Sequence, residues 1–369
     1  MNNRLSNLKV AIVSDHCFSF GGASFVTKEI GSLFDDPDYY FLMGDPKKAK
    51  QYFETQRVYF STLNKLPFLK RYYRYTYFLW PIFIETFNFS KYDLVISSSF
   101  SVAHGVITGI NTKHISYIHT PMRYAWDLSR EYFPSRTFFL KRWIVMFFLN
   151  FLRIWDVAAS ERADYIIANS NFIKDRIQKY WKRSVNSVIH PPVTLYGGKI
   201  RTKREEYFVS GSPFEPNKGG KFILECAKTF KFELKILGTG DSFKKLKREY
   251  SSNSNIHFLG RVSEKEKYEI LSKAQGYISS GIEDFGIFPI EAMSCGTPVI
   301  SVKKGGYLDT VKEGINGVFF EDKKIDSFES VYKVFVKKNW NYISVSDSVK
   351  GFSKKRFANE METFILKNM

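Results

Sequence analysis

Ser279-Ser-Gly-Ile-Glu-Asp-Phe-Gly-Ile-Phe-Pro-Ile-Glu-Ala-Met-Ser-Cys-Gly-Thr-Pro-Val-Ile300 is the stretch on which the fold turns. The run Gly276-Tyr-Ile-Ser279 leads in as a strand, a glycine-bearing loop follows, Pro289 opens a short helix, and Pro298-Val-Ile-Ser301 reads as the next strand. Proline suits a first helical turn, where its missing N–H leaves no bond unmade. That reading puts the amides of Gly286, Ile287 and Phe288 at a helix N-terminus, where unsatisfied N–H groups and the helix dipole favour a phosphate. Glu283 falls in the loop and Glu291 is expected in the first helical turn. A carboxylate beside a bound diphosphate needs hydroxyl partners, and the vicinal diols of a sugar nucleotide supply them. Glu291 is expected to accept from the ribose and Glu283 from the sugar. The plain alternative leaves Glu291 serving the helix dipole and Glu283 solvated.

The same strand, loop and helix grammar extends in both directions. Val10-Ala-Ile-Val13 runs into Ser14-Asp15 and then Phe20-Gly21-Gly22-Ala23 before a helical segment, the first unit of a doubly wound sheet. Leu94-Val-Ile96, His114-Ile-Ser-Tyr-Ile118 and Tyr165-Ile-Ile-Ala168 repeat the pattern. After Val188-Ile-His-Pro-Pro-Val193 and the polar stretch 197–206, read as an interdomain connection, a second series begins. Its strands are Tyr207-Phe-Val209, Leu234-Lys-Ile-Leu237, Ile256-His-Phe-Leu259 and the two named above. Two such series in 369 residues predict an α/β protein of two Rossmann-like domains facing across a cleft. The expected boundaries are 1–192 for an N-terminal domain and 193–350 for a C-terminal domain. Residues 351–369 are expected to form a last amphipathic helix, with Phe357, Met361, Phe364 and Ile365 on the face that packs on the body of the protein.

Composition narrows the partners. Lysine and arginine number 55 against 37 acidic residues, a formal charge of +18, and 36 Phe with 22 Tyr raise the aromatic share to 17%. Such a surface meets something anionic and partly apolar. Without zinc-finger spacing or an aromatic RNA-recognition signature, the sequence favours an anionic membrane over nucleic acid. Leu66-Pro-Phe-Leu-Lys-Arg-Tyr-Tyr-Arg-Tyr-Thr-Tyr-Phe-Leu-Trp-Pro-Ile-Phe83 is basic and aromatic at once, and 136–153 adds to it, against a plain reading as a core helix with a solvated basic edge. The run Trp143-Ile-Val-Met-Phe-Phe-Leu149 is short of a spanning helix, and the polar N-terminus carries no signal peptide. Cys17, Cys226 and Cys295 are odd in number and widely spaced, which points to a reducing compartment and to neither disulfides nor zinc. The expectation is a cytoplasmic protein, peripheral to the membrane.

Seven residues separate Glu283 from Glu291, and the frame around them closely resembles the EX7E motif of glycosyltransferase family 4. Ala292-Met-Ser-Cys-Gly-Thr-Pro-Val-Ile300 and Gly305-Gly306 resemble the same family's next helix, strand and loop. Gly21-Gly22, Tyr117-Ile-His-Thr-Pro-Met-Arg-Tyr-Ala-Trp-Asp127, Ala168-Asn-Ser170, Phe258-Leu-Gly-Arg-Val262 and Phe352-Ser-Lys-Lys-Arg-Phe357 carry the resemblance over most of the chain. The His-Thr-Pro-Met-Arg-Tyr segment looks most like mannosyltransferases of bacterial O-antigen and capsule assembly. The resemblance implies a GT-B fold, with the acceptor bound by the domain 1–192, the donor nucleotide by the domain 193–350 and the helix 351–369 returning toward the N-domain, together with retaining transfer of a hexose and no metal or other cofactor. It implies a nucleotide-sugar donor, with GDP-mannose foremost, and a lipid-linked or oligosaccharide acceptor met at the inner face of the bacterial plasma membrane.

It also implies roles. Gly21 and Gly22 match the loop that approaches the acceptor and the donor phosphate, His119 matches the active-site histidine, and Arg123 lies on the acceptor side. Lys218 matches the lysine that neutralises the departing pyrophosphate, a cation placed where negative charge develops. Ser212 and Pro213 stand where the family usually carries an arginine, leaving Arg123 or Lys221 as candidate replacements. Arg261 and Val262 match the loop beside the nucleobase; Phe285, Gly286, Ile287, Phe288 and Glu291 match the donor cradle, and Glu283 meets the transferred sugar. Two other readings stand beside this one: a UDP-sugar-dependent enzyme of the same fold, and a catalytically silent protein that binds sugar nucleotide or membrane.

Overall fold

Apolar runs become parallel strands when helices cover both faces of the sheet, because only then are continuous Val, Ile and Leu runs buried on both sides. A computed structural model describes residues 5, 8–66, 72–73, 76–129, 139–211, 219–240 and 242–369, with side chains from 143 in the segment that begins at 139. The chain divides into two units, Met1–Pro191 with Phe357–Met369, and Pro192–Arg356.

Among the described residues the first unit holds a seven-stranded sheet. Its strands are β1 (Val10–Cys17), β2 (Asp38–Gly44), β3 (Val58–Phe60), β4 (Leu94–Ser99), β5 (Lys113–Ile118), β6 (Tyr165–Ala168) and β7 (Ser187–Val188), in the order β3-β2-β1-β4-β5-β6-β7. Every pairing is parallel. Between the strands run α1 (Gly22–Gly31), α2 (Pro46–Phe53), α3 (Trp80–Ile84), α4 (Phe139–Ser160) and α5 (Asn171–Tyr180). The order reverses between β1 and β4, and the carboxyl edge at such a reversal is where open α/β sheets bind ligands.

The second unit repeats the plan with six strands: β8 (Glu205–Gly211), β9 (Glu233–Leu237), β10 (Ile256–Gly260), β11 (Ala274–Ser279), β12 (Val299–Val302) and β13 (Gly317–Phe320), in the order β10-β9-β8-β11-β12-β13. Its helices are α6 (Gly220–Phe230), α7 (Phe243–Glu249), α8 (Glu264–Lys273), α9 (Ile287–Ser294), α10 (Tyr307–Thr310), α11 (Ile325–Lys337) and α12 (Tyr342–Asp347). Here the reversal lies between β8 and β11. Local chemistry fixes the helix ends: Ser263 and Glu266 form a reciprocal capping box on α8, and the Ser170 hydroxyl accepts from Ile173 N–H at the start of α5. The last helix, α13 (Lys354–Asn368), sends Phe357, Met361 and Ile365 into the first unit's core beside Ile12, Ile96 and Tyr117.

Two expectations need correction. The stretch 197–206 is not a free connection. Leu195 and Tyr196 pack on the second unit's core, and Arg204 donates to the Ser272 and Cys295 carbonyls and the Thr297 hydroxyl. An arginine in that fork anchors the segment before β8 begins. The run at Trp143–Leu149 is also part of something longer: α4 has 22 residues, and by length and composition its portion Trp143–Ser160 is apolar enough to cross a membrane. One face of α4 is nevertheless bound to the first unit. Asp156 is buried and accepts from the indoles of Trp126 and Trp181, at 2.7 and 2.6 Å.

The two strands at the first reversal are tied together by Asp15. Its buried carboxylate accepts from four consecutive amides, Phe100 and Ser101 on one oxygen and Val102 and Ala103 on the other, tying the end of β1 to the loop after β4. Burial pushes the Asp15 carboxyl up, and the N–H groups of Phe100, Val102 and Ala103 oppose that. Asp15→Ala leaves these amides unsatisfied, and urea unfolding is expected to show a loss of about 2–4 kcal/mol; a change below about 0.5 kcal/mol contradicts the anchor.

Candidate functional site

In the second unit the loops after β11 and β12 are held together by backbone contact. A Cβ at Gly306 would lie 2.3 Å from Phe285 Cα, and one at Gly305 would lie 2.5 Å from the Glu283 carbonyl oxygen. Gly305 also has φ +68°, and Gly306 N–H donates to the Glu283 carbonyl at 2.9 Å. Only glycine allows this approach. The loop 283–285 is thereby pinned, and the buried Phe285 ring sits edge-on to Phe352.

Gly286 then turns the chain at φ +95° and caps α9, so the amides of Gly286, Ile287 and Phe288 do stand at the helix start. Phe288 stacks on Tyr277 with centroids 5.3 Å apart, which fixes that first turn on β11. Glu283 is half-buried in the loop. Its charge contributes, after burial itself, to pushing up the Tyr277 and Tyr307 hydroxyls. Tyr307 in turn bonds the Ser279 hydroxyl at the carboxyl end of β11.

Glu291 departs from expectation. With the helix starting at Ile287, it sits in the second turn, and it is buried. Burial raises its carboxyl above the ordinary range, opposed by Lys267, whose Nζ donates to Oε1 at 2.8 Å. Lys267 reaches it from α8 and also contacts both Glu264 oxygens, at 3.0 and 2.9 Å. Sequence reasoning missed Lys267, which sits among Glu264, Lys265 and Glu266 like any solvated helix residue.

Lys218 lies outside the described residues. Its neighbour Gly219 is described: it has φ +69°, a Cβ there would come within 2.4 Å of Ser280 Oγ, and Ser280 Oγ donates to the Gly219 carbonyl at 2.7 Å. That bond brings the end of the 212–219 segment to the loop that carries Glu283. Lys221, one candidate to replace the missing arginine, is exposed and paired with Glu249 at 2.8 Å. Arg261 is exposed after Gly260, which has φ +72°, and Val262 packs on the core.

In the first unit, His119 follows β5 at the carboxyl edge. It is buried, its N–H donates to the Ser99 carbonyl at 2.8 Å, and Nε2 lies 2.9 Å from Ser98 Oγ. Thr27 of α1 lies 2.9 Å from the same Ser98 oxygen. Burial pulls the imidazole down to about 3, so the ring is neutral at ordinary pH. Gly21 and Gly22 are exposed at the start of α1, and a Cβ at Gly21 would meet nothing within 4 Å. The fold itself does not demand glycine at 21. Arg123 is half-buried in the turn after Met122.

Two family models match the chain, one described as "Glycosyltransferase Family 4" over residues 21–195 and one as "Glycosyl transferases group 1" over residues 198–339. The chain belongs to the family 4 glycosyltransferases. It is an enzyme of GT-B type, and each unit is one of that fold's Rossmann-like halves. An uncharacterised glycosyltransferase of Methanocaldococcus jannaschii is 27% identical over 53% of this chain and 56% of its own length, so the match spans little more than half of that relative. The alpha-1,3/1,6-mannosyltransferase ALG2 of Dictyostelium discoideum is 23% identical over 78% of each chain. Among solved structures, Anabaena HepE in complex with UDP-glucose superposes with a TM-score of 0.67 at 14% identity, covering 97% of this chain and 99% of that one.

Because His119 is neutral when folded and has an ordinary value near 6.5 when unfolded, the unfolded chain takes up its proton first. His114, pulled down to about 4 mainly by burial, behaves alike. Their contribution to stability is full above about pH 6.5 and drains as pH falls toward 3. His119→Asn is expected to flatten the acid limb of unfolding free energy against pH over that window, read by urea titrations at successive pH values; an unaltered slope contradicts the assignment.

Proposed function

We propose that this glycosyltransferase moves a hexose, mannose from GDP-mannose, with retention onto a lipid-linked or oligosaccharide acceptor in O-antigen or capsule assembly. The observation that carries the reading is the pairing of a pinned helix N-terminus with two carboxylates of unlike setting, Glu283 half-buried in the loop and Glu291 deep behind it. The Gly286, Ile287 and Phe288 amides take the diphosphate, Glu291 a ribose hydroxyl, and Glu283 the hydroxyls of the sugar. Lys218 neutralises the leaving group. Arg261 and Val262 border the base, Gly22 the donor phosphate, and Gly21, Arg123 and His119 serve the acceptor side. In the transfer the bond from C1 to the phosphate oxygen breaks while the acceptor oxygen bonds C1 on the same face, and the acceptor proton passes to the departing diphosphate. No cofactor or metal is required.

Mannose is supported by the mannosyltransferase relative, and a UDP-sugar donor is the second reading, favoured by the UDP-glucose complex of HepE. Melting temperatures with GDP-mannose, UDP-glucose and UDP-galactose separate them, since a specific ligand of the folded state raises the transition. GDP-mannose is expected to give the largest shift, and Glu291→Ala and Lys218→Ala each to abolish most transfer. Near-normal transfer in both variants defeats the site assignment.

A place at the inner face of the plasma membrane is supported by α4. Its face away from the sheet exposes Ile144, Phe151 and Ile154 along with Trp143 and Phe147, which are 64% and 71% exposed. Phe78 packs on Phe148 beside them, and the helix's first turn carries Lys141 and Arg142. With its other face bound through Asp156, such a helix suits the headgroup boundary better than the bilayer centre. Flotation with anionic liposomes is expected, weakened several-fold by Trp143→Ser with Phe147→Ser; equal flotation of both proteins, or none, removes the membrane role from α4.

A further inference from the structure

Lys267 is only 8% exposed, and burial of an ammonium is costly unless its protons find partners. An ammonium has three protons to donate. Here Glu291 Oε1 lies at 2.8 Å and the two Glu264 oxygens at 3.0 and 2.9 Å, so those carboxylates use the whole donor set. Lys267 is therefore committed to Glu291 and Glu264, with nothing left for a phosphate. The Tyr268 and Phe288 rings close around it, with Nζ 4.9 and 5.8 Å from their centroids. Phe288 is itself the second residue of α9, so the same ring that seats the helix start also walls the lysine.

The consequence falls on Glu291. With Oε1 occupied by a charged donor, its carboxylate has one fixed orientation, and Oε2 is the atom available to a ligand. A buried carboxyl with no cation beside it would hold its proton and become a donor as well as an acceptor. Lys267 opposes that.

We propose that Lys267 is a positioning residue that holds Glu291 ionised and oriented, so that Oε2 acts as an acceptor-only reader of the ribose hydroxyls of the donor. The proposal rests on the reading that Glu291 meets the ribose. A site built this way rejects a nucleotide that lacks a hydroxyl, because a desolvated carboxylate oxygen is left unpaired. Glu264, exposed at the start of α8, bears on Lys267 from its other side and keeps the ammonium from turning toward the diphosphate.

The charged and titratable groups facing Glu291 are Lys267, Glu264 and Tyr268 of α8, Tyr277 of β11 and Cys295 after α9. Burial pushes the Cys295 thiol up to about 12 and the two tyrosines higher, so none of these three changes charge between pH 5.5 and 8.5. Loss of Lys267 thus raises the Glu291 carboxyl, and the fall in affinity on acidification moves to higher pH.

The test measures Kd for GDP and UDP and for their 2′-deoxy counterparts, from pH 5.5 to 8.5, in the wild type, Lys267→Met, Lys267→Arg, Glu291→Gln and the Lys267→Met/Glu291→Gln double variant. For the nucleotide that the wild type prefers, Lys267→Met is expected to weaken binding about 10-fold at pH 7.5, the size of a buried charge-assisted bond. It should shrink the ribo-to-deoxy ratio and shift the acid limb upward, and Lys267→Arg should restore part of both. In the Glu291→Gln background the lysine change should add almost nothing. A Lys267→Met protein that melts lower but keeps the wild-type ratio and pH profile, while Glu291→Gln loses the ratio, reduces Lys267 to a staple between α8 and α9. An equal loss in both backgrounds assigns Lys267 a separate role and overturns the proposal. A wild-type ratio in Glu291→Gln overturns the ribose reading itself, and the proposal with it.

Discussion

The second unit's site depends on one steric constraint: the backbone at 305–306 lies against the backbone at 283–285 with no room for a side chain between them. Everything near the start of α9 is set by that approach. It decides where the loop turns, and hence why Gly286 adopts a positive φ. It decides where α9 begins, and hence which three amides are unsatisfied by the helix. It also decides which glutamate stays in the loop and which is carried a full turn into the protein.

Three ionisable groups mark the two strand reversals, and the protein handles each differently. Asp15 is buried and answered by four backbone amides, a purely structural solution. Glu291 is buried and answered by a lysine on one oxygen. His119 has no charge to answer, because burial keeps it neutral beside Ser98. All three obey one rule, that a buried charge needs a partner or must disappear. The differences matter for chemistry: a carboxylate saturated by amides is spent, whereas one with a single cation on one oxygen still has an edge to offer.

The sequence made much of this legible, and the reasons for the gaps are physical. Every apolar run read as a strand forms one, because buried parallel strands need uninterrupted Val, Ile and Leu. Tyr39-Tyr-Phe-Leu-Met43 in β2 and Val318-Phe-Phe320 in β13 carry the same apolar signal in aromatic form and went unread. A helix start near Gly286 was legible from glycine and proline spacing, while the depth of Glu291 was not: the helix begins at Ile287 rather than Pro289, and each residue of that shift turns a side chain by about 100°. Lys267 was illegible in principle. Nothing in Glu264-Lys-Glu-Lys267 distinguishes the lysine that α9 buries from the one left in water. The family resemblance named residues and said little about their surroundings.

The return of α13 to the first unit has a temporal consequence. Phe357, Met361 and Ile365 complete the core around Ile12 and Ile96, yet a ribosome makes them after the whole second unit. The first unit therefore waits, with an apolar groove open along its sheet, while more than 150 further residues are synthesised and the second unit can already close. Birth order and completion order are reversed in this chain, and the half that emerges first is the one that must be shielded longest.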